Sequence, residues 1–442
     1  MMMNENQTET FHTPKIFPMT EDALREVIKK YPTPFHIYDE KTIRENFRKL
    51  RETFAWAPDF REHFAIKATP NPYLVEIMAR DGAGTDCSSI AELFISEAAG
   101  VVGEKIILTS NDTPAEEFRK ALELGAIINL DDITHIEYLE SNARLPKIIS
   151  FRYNPADIMN DGNDIIGRPA EAKYGLTRKQ IFEAYKICLD KGINRFGLHT
   201  MIASNERKAS TFIYTARIMF ALAVKIKNEL GITFEFINLG GGLGIPYNPD
   251  ELPVDLKMVG DGIKKLFFEI LVPNGLGNVR LAMESGRAMT GSAGWLVSTV
   301  LHKKNTYKSY VGLDSCMSDL MRPALYNAYH HITILGKENA PCNEIYDVTG
   351  SLCENNDKFA IDRHLPKIEI GDVVIIHDTG AHGHAMGFNY NGKLRSAELL
   401  IRENGEVEMI RRAETLNDYF ATFNFPNARL KPNVGGSRHV EE

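Results

Sequence analysis

The sequence predicts a two-part α/β plus β chain: an N-terminal (β/α)8 barrel of the TIM type, then a C-terminal antiparallel β domain. Three observations predict it. Between residues 60 and 285, eight short β-rich runs alternate with amphipathic helical stretches. Several of those runs are apolar throughout, as parallel strands buried on both faces are. After residue 295 the rhythm changes to short β-rich runs separated by turn residues.

The elements follow in chain order. The first forty residues hold a helix candidate, Glu21–Tyr31, and the strand-like Phe35–Tyr38. The pattern alone does not assign them to either part. The barrel strand candidates are His63–Ile66, Gly82–Asp86, Lys105–Thr109, Ala126–Leu130, Lys147–Tyr153, Phe196–Ile202, Phe234–Leu239 and Val279–Met283. Between them, Tyr73–Arg80 follows a Pro-Asn-Pro start, Pro114–Leu124 begins after Thr113 as capping residue, and Lys208–Leu230 carries apolar residues at helical spacing. An open doubly wound sheet is the alternative to a closed barrel. The later strand candidates are Trp295–Leu301, Ser309–Leu313, Ile332–Leu335, Asp372–His377 and Ser396–Ile401, with Asn391-Gly392 and Asn404-Gly405 as turns. The tail after Pro426 is polar and expected to be mobile.

Composition narrows the function. The net charge is −8, so no basic excess offsets phosphate repulsion and a general nucleic-acid binder is not expected. Five scattered cysteines without a CxxC argue against a disulfide scaffold or a structural zinc site. No apolar h-region opens the chain, and no apolar run nears the roughly 18–20 residues that span a bilayer. A cytoplasmic protein with no membrane and no metal is the expectation.

Five stretches could carry chemistry. Lys67, in HFAIKATPN, closes an apolar strand, where an unpaired charge is unusual. Partly desolvated at a barrel mouth, its amine would become nucleophilic; a head group reaching to solvent is the plainer reading. Gly240, Gly241 and Gly242 follow the strand FEFINL, where bare backbone can approach a phosphate, or merely turn. Glu284 and Arg287, in ESGR, set a carboxylate and a guanidinium three apart at the end of the eighth strand; a local salt bridge is the alternative. Cys353 beside Glu354 could deliver a proton or simply be a small apolar residue. Arg322 and Tyr326, at i and i+4, would share one helix face and could grip a carboxylate.

Together these blocks resemble the fold-type III pyridoxal-phosphate decarboxylases, and within them the diaminopimelate decarboxylases. The blocks, in order, are TPFHIYD, FAIKATPNP, GTDCSSIAEL, GLHTMIAS, NLGGGLGIPY, ESGR, MRPALYNAYHH, GSLCENND and FNYN, and the resemblance runs from about Thr33 to Asn417. The resemblance implies an alanine racemase-like fold. Its barrel would span residues 42–294, and residues 1–41 and 295–442 would form the β domain. It implies a homodimer with shared active sites and pyridoxal 5′-phosphate as cofactor. The expected reaction is decarboxylation of an amino acid, first meso-diaminopimelate to L-lysine, in lysine biosynthesis. Carboxynorspermidine, D-lysine, D-ornithine or a pathway-specific amino acid are alternatives, as is a silent partner-binding homologue.

Carried over by residue, the resemblance makes Lys67 the Schiff-base lysine, with Asp86 the acid beside it. Ser204, Gly240, Gly241, Gly242, Ser285, Gly286 and Arg287 would hold the phosphate end, and Glu284 the pyridinium nitrogen. Tyr390 would close on cofactor and substrate. Cys353, from the partner subunit, would deliver the proton. Arg287, Arg322, Tyr326 and Glu354 match substrate positions. The departures are Met201 for the family's ring-stacking histidine, with His199 two residues earlier as a possible substitute, Ser285 for proline, and GAHG (Gly380–Gly383) for GAYG.

Overall fold

The eight apolar runs close into a parallel barrel, neighbour to neighbour in sequence order. The computed structural model describes residues 13–158 and 168–425, so the tail after Pro426 lies outside the described residues. The barrel strands are β2 (Arg61–Ala65), β3 (Gly84–Cys87), β4 (Ile106–Thr109), β5 (Ile127–Leu130), β6 (Ile148–Tyr153), β7 (Arg195–Thr200), β8 (Phe234–Asn238) and β9 (Arg280–Met283). β9 pairs back onto β2, which excludes the open sheet. Each strand starts and ends within two residues of its expected bounds.

The barrel interior is filled by side chains. Phe236 packs with Ile107, Ile127 and Ile148. Its ring approaches β7 so closely that a Cβ at position 197 would lie 2.1 Å from it, and residue 197 is glycine. Outward residues meet the surrounding helices in one large apolar core. One helix starts differently from expectation. Ala115–Leu124 has Pro114 as its N-cap, and the Thr113 hydroxyl donates back to the Ser110 carbonyl at 3.2 Å. Helix Ala209–Leu230 corrects another expectation, being long and apolar enough by composition to cross a bilayer. Here its Phe212, Met219, Phe220 and Ile226 are buried in the barrel's core, which accounts for its apolar character.

The remaining strands form one nine-stranded sheet. They are β1 (Phe35–Asp39), β10 (Gly294–Asn305), β11 (Ser309–Leu313), β12 (Ile332–Ile334), β13 (Glu344–Thr349), β14 (Lys358–Leu365), β15 (Val373–Ile376), β16 (Ala397–Ile401) and β17 (Val407–Arg411). β1 lies between β10 and β16, so the N-terminal strand joins the C-terminal sheet. The sheet is mixed rather than wholly antiparallel, because β1 runs parallel to β16 and β11 parallel to β13. Both pairs join strands distant in sequence, which the hairpin geometry behind the antiparallel expectation does not constrain. β13, β14 and β17 were not expected. Their burial does not alternate cleanly, so the period-2 signal is missing.

The sheet is bolted to the barrel beside β2. The Thr69 hydroxyl donates to the Gly380 carbonyl at 2.6 Å, and the His382 amide to the Ala68 carbonyl at 2.8 Å. Asn71 donates to Glu398 on β16 at 3.1 Å, and Glu398 also accepts from Tyr38 on β1 at 2.6 Å. The turn Ala68–Pro72 is thereby clamped to the sheet.

Candidate active site at the mouth of the barrel

A cavity of about 260 Å³ opens at the C-terminal ends of the barrel strands, between barrel and sheet. Lys67 reaches it from the single 3-10 turn Ile66–Ala68 that follows β2. The sequence reading expected Lys67 to be partly desolvated; instead it is exposed, because the cavity it lines is open to solvent.

Glu284 follows β9 and is buried at the cavity wall. One oxygen meets His199 Nε2 at 3.0 Å, and the other accepts from Asn238 Nδ2 at 2.6 Å. Burial alone would raise its pKa, but His199 and Lys67 outweigh that and hold the carboxyl below its ordinary range. Glu284 is therefore a fixed negative charge. Asp86 is the opposite case. Burial and then the charge of Glu284 push its carboxyl well up, against the pull of Lys67. Its buried Oδ1 has no hydrogen-bond partner among the described residues. A proton-bearing group placed between Lys67 and Glu284 would satisfy both carboxyls.

The glycine run turns tightly after β8. Gly240 and Gly242 have φ of +76° and +92°. A Cβ at 242 would come within 2.4 Å of the Ala203 carbonyl, and one at 241 within 2.2 Å of the Glu284 carbonyl. Only glycine fits there. Gly242, Ser204, Gly286 and Arg287 come together at the cavity wall, a backbone cradle with one cation, as a phosphate requires. Arg287 also donates to the Tyr247 hydroxyl.

Across the cavity, Arg322 and Tyr326 share the short helix Arg322–Tyr326. Arg322 is buried, lies 4.4 Å over the Tyr247 ring, and contacts His330 Nε2 at 2.8 Å. The ring and the histidine aim the guanidinium into the pocket.

Other expected residues stand elsewhere. Met201 lines the cavity, and its Sδ accepts from the Gly241 amide at 3.1 Å. His199 stands behind the wall, with its second nitrogen 2.8 Å from Asn129. Gly240, Gly241 and Ser285 shape the wall without lining it. Ser285 donates its amide to buried Glu62, a bond that a proline at this position could not make. Cys353, Glu354 and Tyr390 are not among the lining residues of this chain's cavity. Cys353 and Tyr390 are exposed, and the Cys353 amide donates to Asn391 at 2.9 Å. The two loops thus form one surface apart from the pocket.

The sequence reading missed Asn111, Arg152, Tyr174 and His382, which line the cavity. Arg152 carries the signal that singled out Lys67, a cation near the end of an apolar strand. It lies 3.9 Å over the Tyr174 ring and 3.4 Å from Asp131. His382 was visible only as a departure in GAHG.

The family model for pyridoxal-dependent decarboxylases, pyridoxal binding domain, matches residues 40–291. The chain is 41% identical to protein TabA of Pseudomonas amygdali pv. tabaci over 405 residues, 92% of this chain and 93% of that one. It is 34% identical to diaminopimelate decarboxylase of Methanothermobacter thermautotrophicus over 411 residues, 93% of this chain and 96% of that one. A crystal structure of diaminopimelate decarboxylase from M. jannaschii in complex with L-lysine superimposes with a TM-score of 0.83 at 32% identity, covering 91% and 94% of the two chains.

Proposed function

This chain belongs to the pyridoxal-dependent decarboxylases, and from that premise we propose that it decarboxylates meso-diaminopimelate to L-lysine as a cytoplasmic homodimer in lysine biosynthesis. It is a carboxy-lyase of the diaminopimelate decarboxylase type, with pyridoxal phosphate as cofactor. The observation that carries the substrate is the placing of Arg322 and Arg287 in one cavity with Lys67. A buried guanidinium opposite the reacting amine suits an amino acid with a second carboxylate. A simple diamine precursor would want an acid there instead.

The residues present fit the cofactor. Lys67 is placed to hold its aldehyde carbon. Gly242, Ser204 and Arg287 would take its phosphate, and Glu284 its ring nitrogen. Bound there, pyridoxal phosphate supplies an electron sink for the pair left behind when CO₂ departs. The chain's own residues do the rest. Glu284, ionised and fixed by His199 and Asn238, would hold a proton at the ring nitrogen. Arg322 and Tyr326 orient the distal carboxylate. Lys67 would take up a proton as the substrate amine displaces it, and would return to release the product. Cys353, exposed on its loop, suits delivery of the last proton into the partner's cavity, with Glu354 and Tyr390 beside it at the subunit junction.

A second reading keeps the chemistry and changes the amino acid. TabA matches at higher identity than the Methanothermobacter enzyme, and Met201 and His382 alter the cavity wall at two places. The deciding experiment is CO₂ release from a panel of meso-diaminopimelate, L- and D-lysine, L- and D-ornithine and carboxynorspermidine. Turnover of meso-diaminopimelate above the others is expected. Its absence, with turnover of another member, overturns the substrate.

A further inference from the structure

His382 has no part in the mechanism above, yet its position is tightly determined. It reaches the cavity from the loop between β15 and β16, in the left-handed region at φ +56°. Its amide is fixed on the Ala68 carbonyl, one residue past Lys67. On either side, the Gly380 carbonyl is held by Thr69, and a Cβ at 383 would come within 2.2 Å of the Thr379 carbonyl. The backbone can neither withdraw nor rotate freely.

The ring itself is unsatisfied. Neither of its nitrogens has a hydrogen-bond partner among the described residues, although the side chain is partly buried. The charges that act on it most are cations: Arg287 first, then Arg322 and Lys67. Burial and these cations keep the imidazole neutral, with one N–H to give and one lone pair. A further positive charge would be repelled here, whereas an N–H donor in one cavity with two guanidiniums completes a site for an anionic oxygen. Met201 does not compete for this role, since its sulfur is engaged with the glycine loop.

We propose that His382 is a ligand-contacting residue of this active site, donating a hydrogen bond to an anionic oxygen held between Arg287 and Arg322. The inference rests on the decarboxylase reading of the cavity. That oxygen belongs either to the cofactor phosphate at Arg287 or to a substrate carboxylate at Arg322, and the two are separable by experiment.

The test compares holoenzymes of the wild type, His382→Ala, His382→Asn, which keeps an N–H, and His382→Phe, which fills the space without one. Pyridoxal phosphate dissociation is followed through its visible absorbance on dilution. KM and kcat are measured for the substrate found by the CO₂ panel. A phosphate contact raises the cofactor Kd at least tenfold in His382→Ala and leaves KM within twofold. A carboxylate contact raises KM at least tenfold and leaves the cofactor Kd and kcat within twofold. In either case His382→Asn stays closer to wild type than His382→Phe does. If His382→Ala fails to fold, the Asn and Phe pair decides alone. Values for Asn and Phe within twofold of each other, or for Ala within twofold of wild type on both measures, overturn the proposal. A wild type without any visible absorbance would instead sink the decarboxylase reading itself.

Discussion

Glu284 shows how one side chain's surroundings set its chemistry. Asp86 and Glu284 are both buried carboxyls at the same cavity, yet one is driven neutral and the other ionised. The difference is His199, which touches Glu284 and not Asp86. Glu284→Gln keeps the shape and removes the charge that would hold a ring-nitrogen proton. It is expected to lower kcat by about 10²-fold or more with cofactor still bound, read by steady-state kinetics beside the visible spectrum. Arg322→Ala is expected to raise KM for a dicarboxylic amino acid about tenfold or more and for a monocarboxylic one much less. Equal effects on the two would deny Arg322 its distal-carboxylate role. Lys67, Glu284, Arg287 and the glycine run were legible because each breaks a local rule: charge at an apolar strand end, or bare backbone where a side chain would pack. Tyr174 and Asn111 break none, and only the fold brings them to the cavity.

Among the elements, the barrel strands were legible because burial on both faces leaves a continuous apolar run. β13, β14 and β17 were not, because a half-exposed sheet at the molecule's edge tolerates irregular patterns. The direction of β1 was also hidden, since register between strands more than 250 residues apart leaves no local trace. Where strands do touch inside the barrel, the tolerance is small. Gly197→Ala drives a Cβ into the Phe236 ring. Its expected cost is about 1–3 kcal/mol, measured by denaturant unfolding. Adding Phe236→Leu should recover part of that loss, because it removes the clashing atoms.

At the scale of the molecule, acid and assembly test different parts of the same design. Burial first, and then the charge of Arg61, lower the His63 pKa to about 3. The unfolded chain binds a proton below pH 6.5 that the folded chain refuses. The stability from His63 is therefore full above pH 6.5 and is lost as pH falls toward 3, at about 1.4 kcal/mol per pH unit. His63→Gln is expected to flatten the fall of Tm with pH across that window. For assembly, Lys67→Ala and Cys353→Ala each disable one half of a shared site. Mixed and re-associated in equal amounts, they are expected to regain about a quarter of wild-type turnover; a mixture as inactive as its parents would place both residues in one subunit's site. One consequence reaches back to how the chain is made. β1 leaves the ribosome long before its neighbours on both sides, β10 and β16, have been synthesised. The nascent strand FHIYD must stay unpaired until those strands emerge, with two bare edges open to the wrong partner. Yield of correctly folded protein should therefore be limited by that waiting period, and a permutation starting the chain just before β10 would change it most.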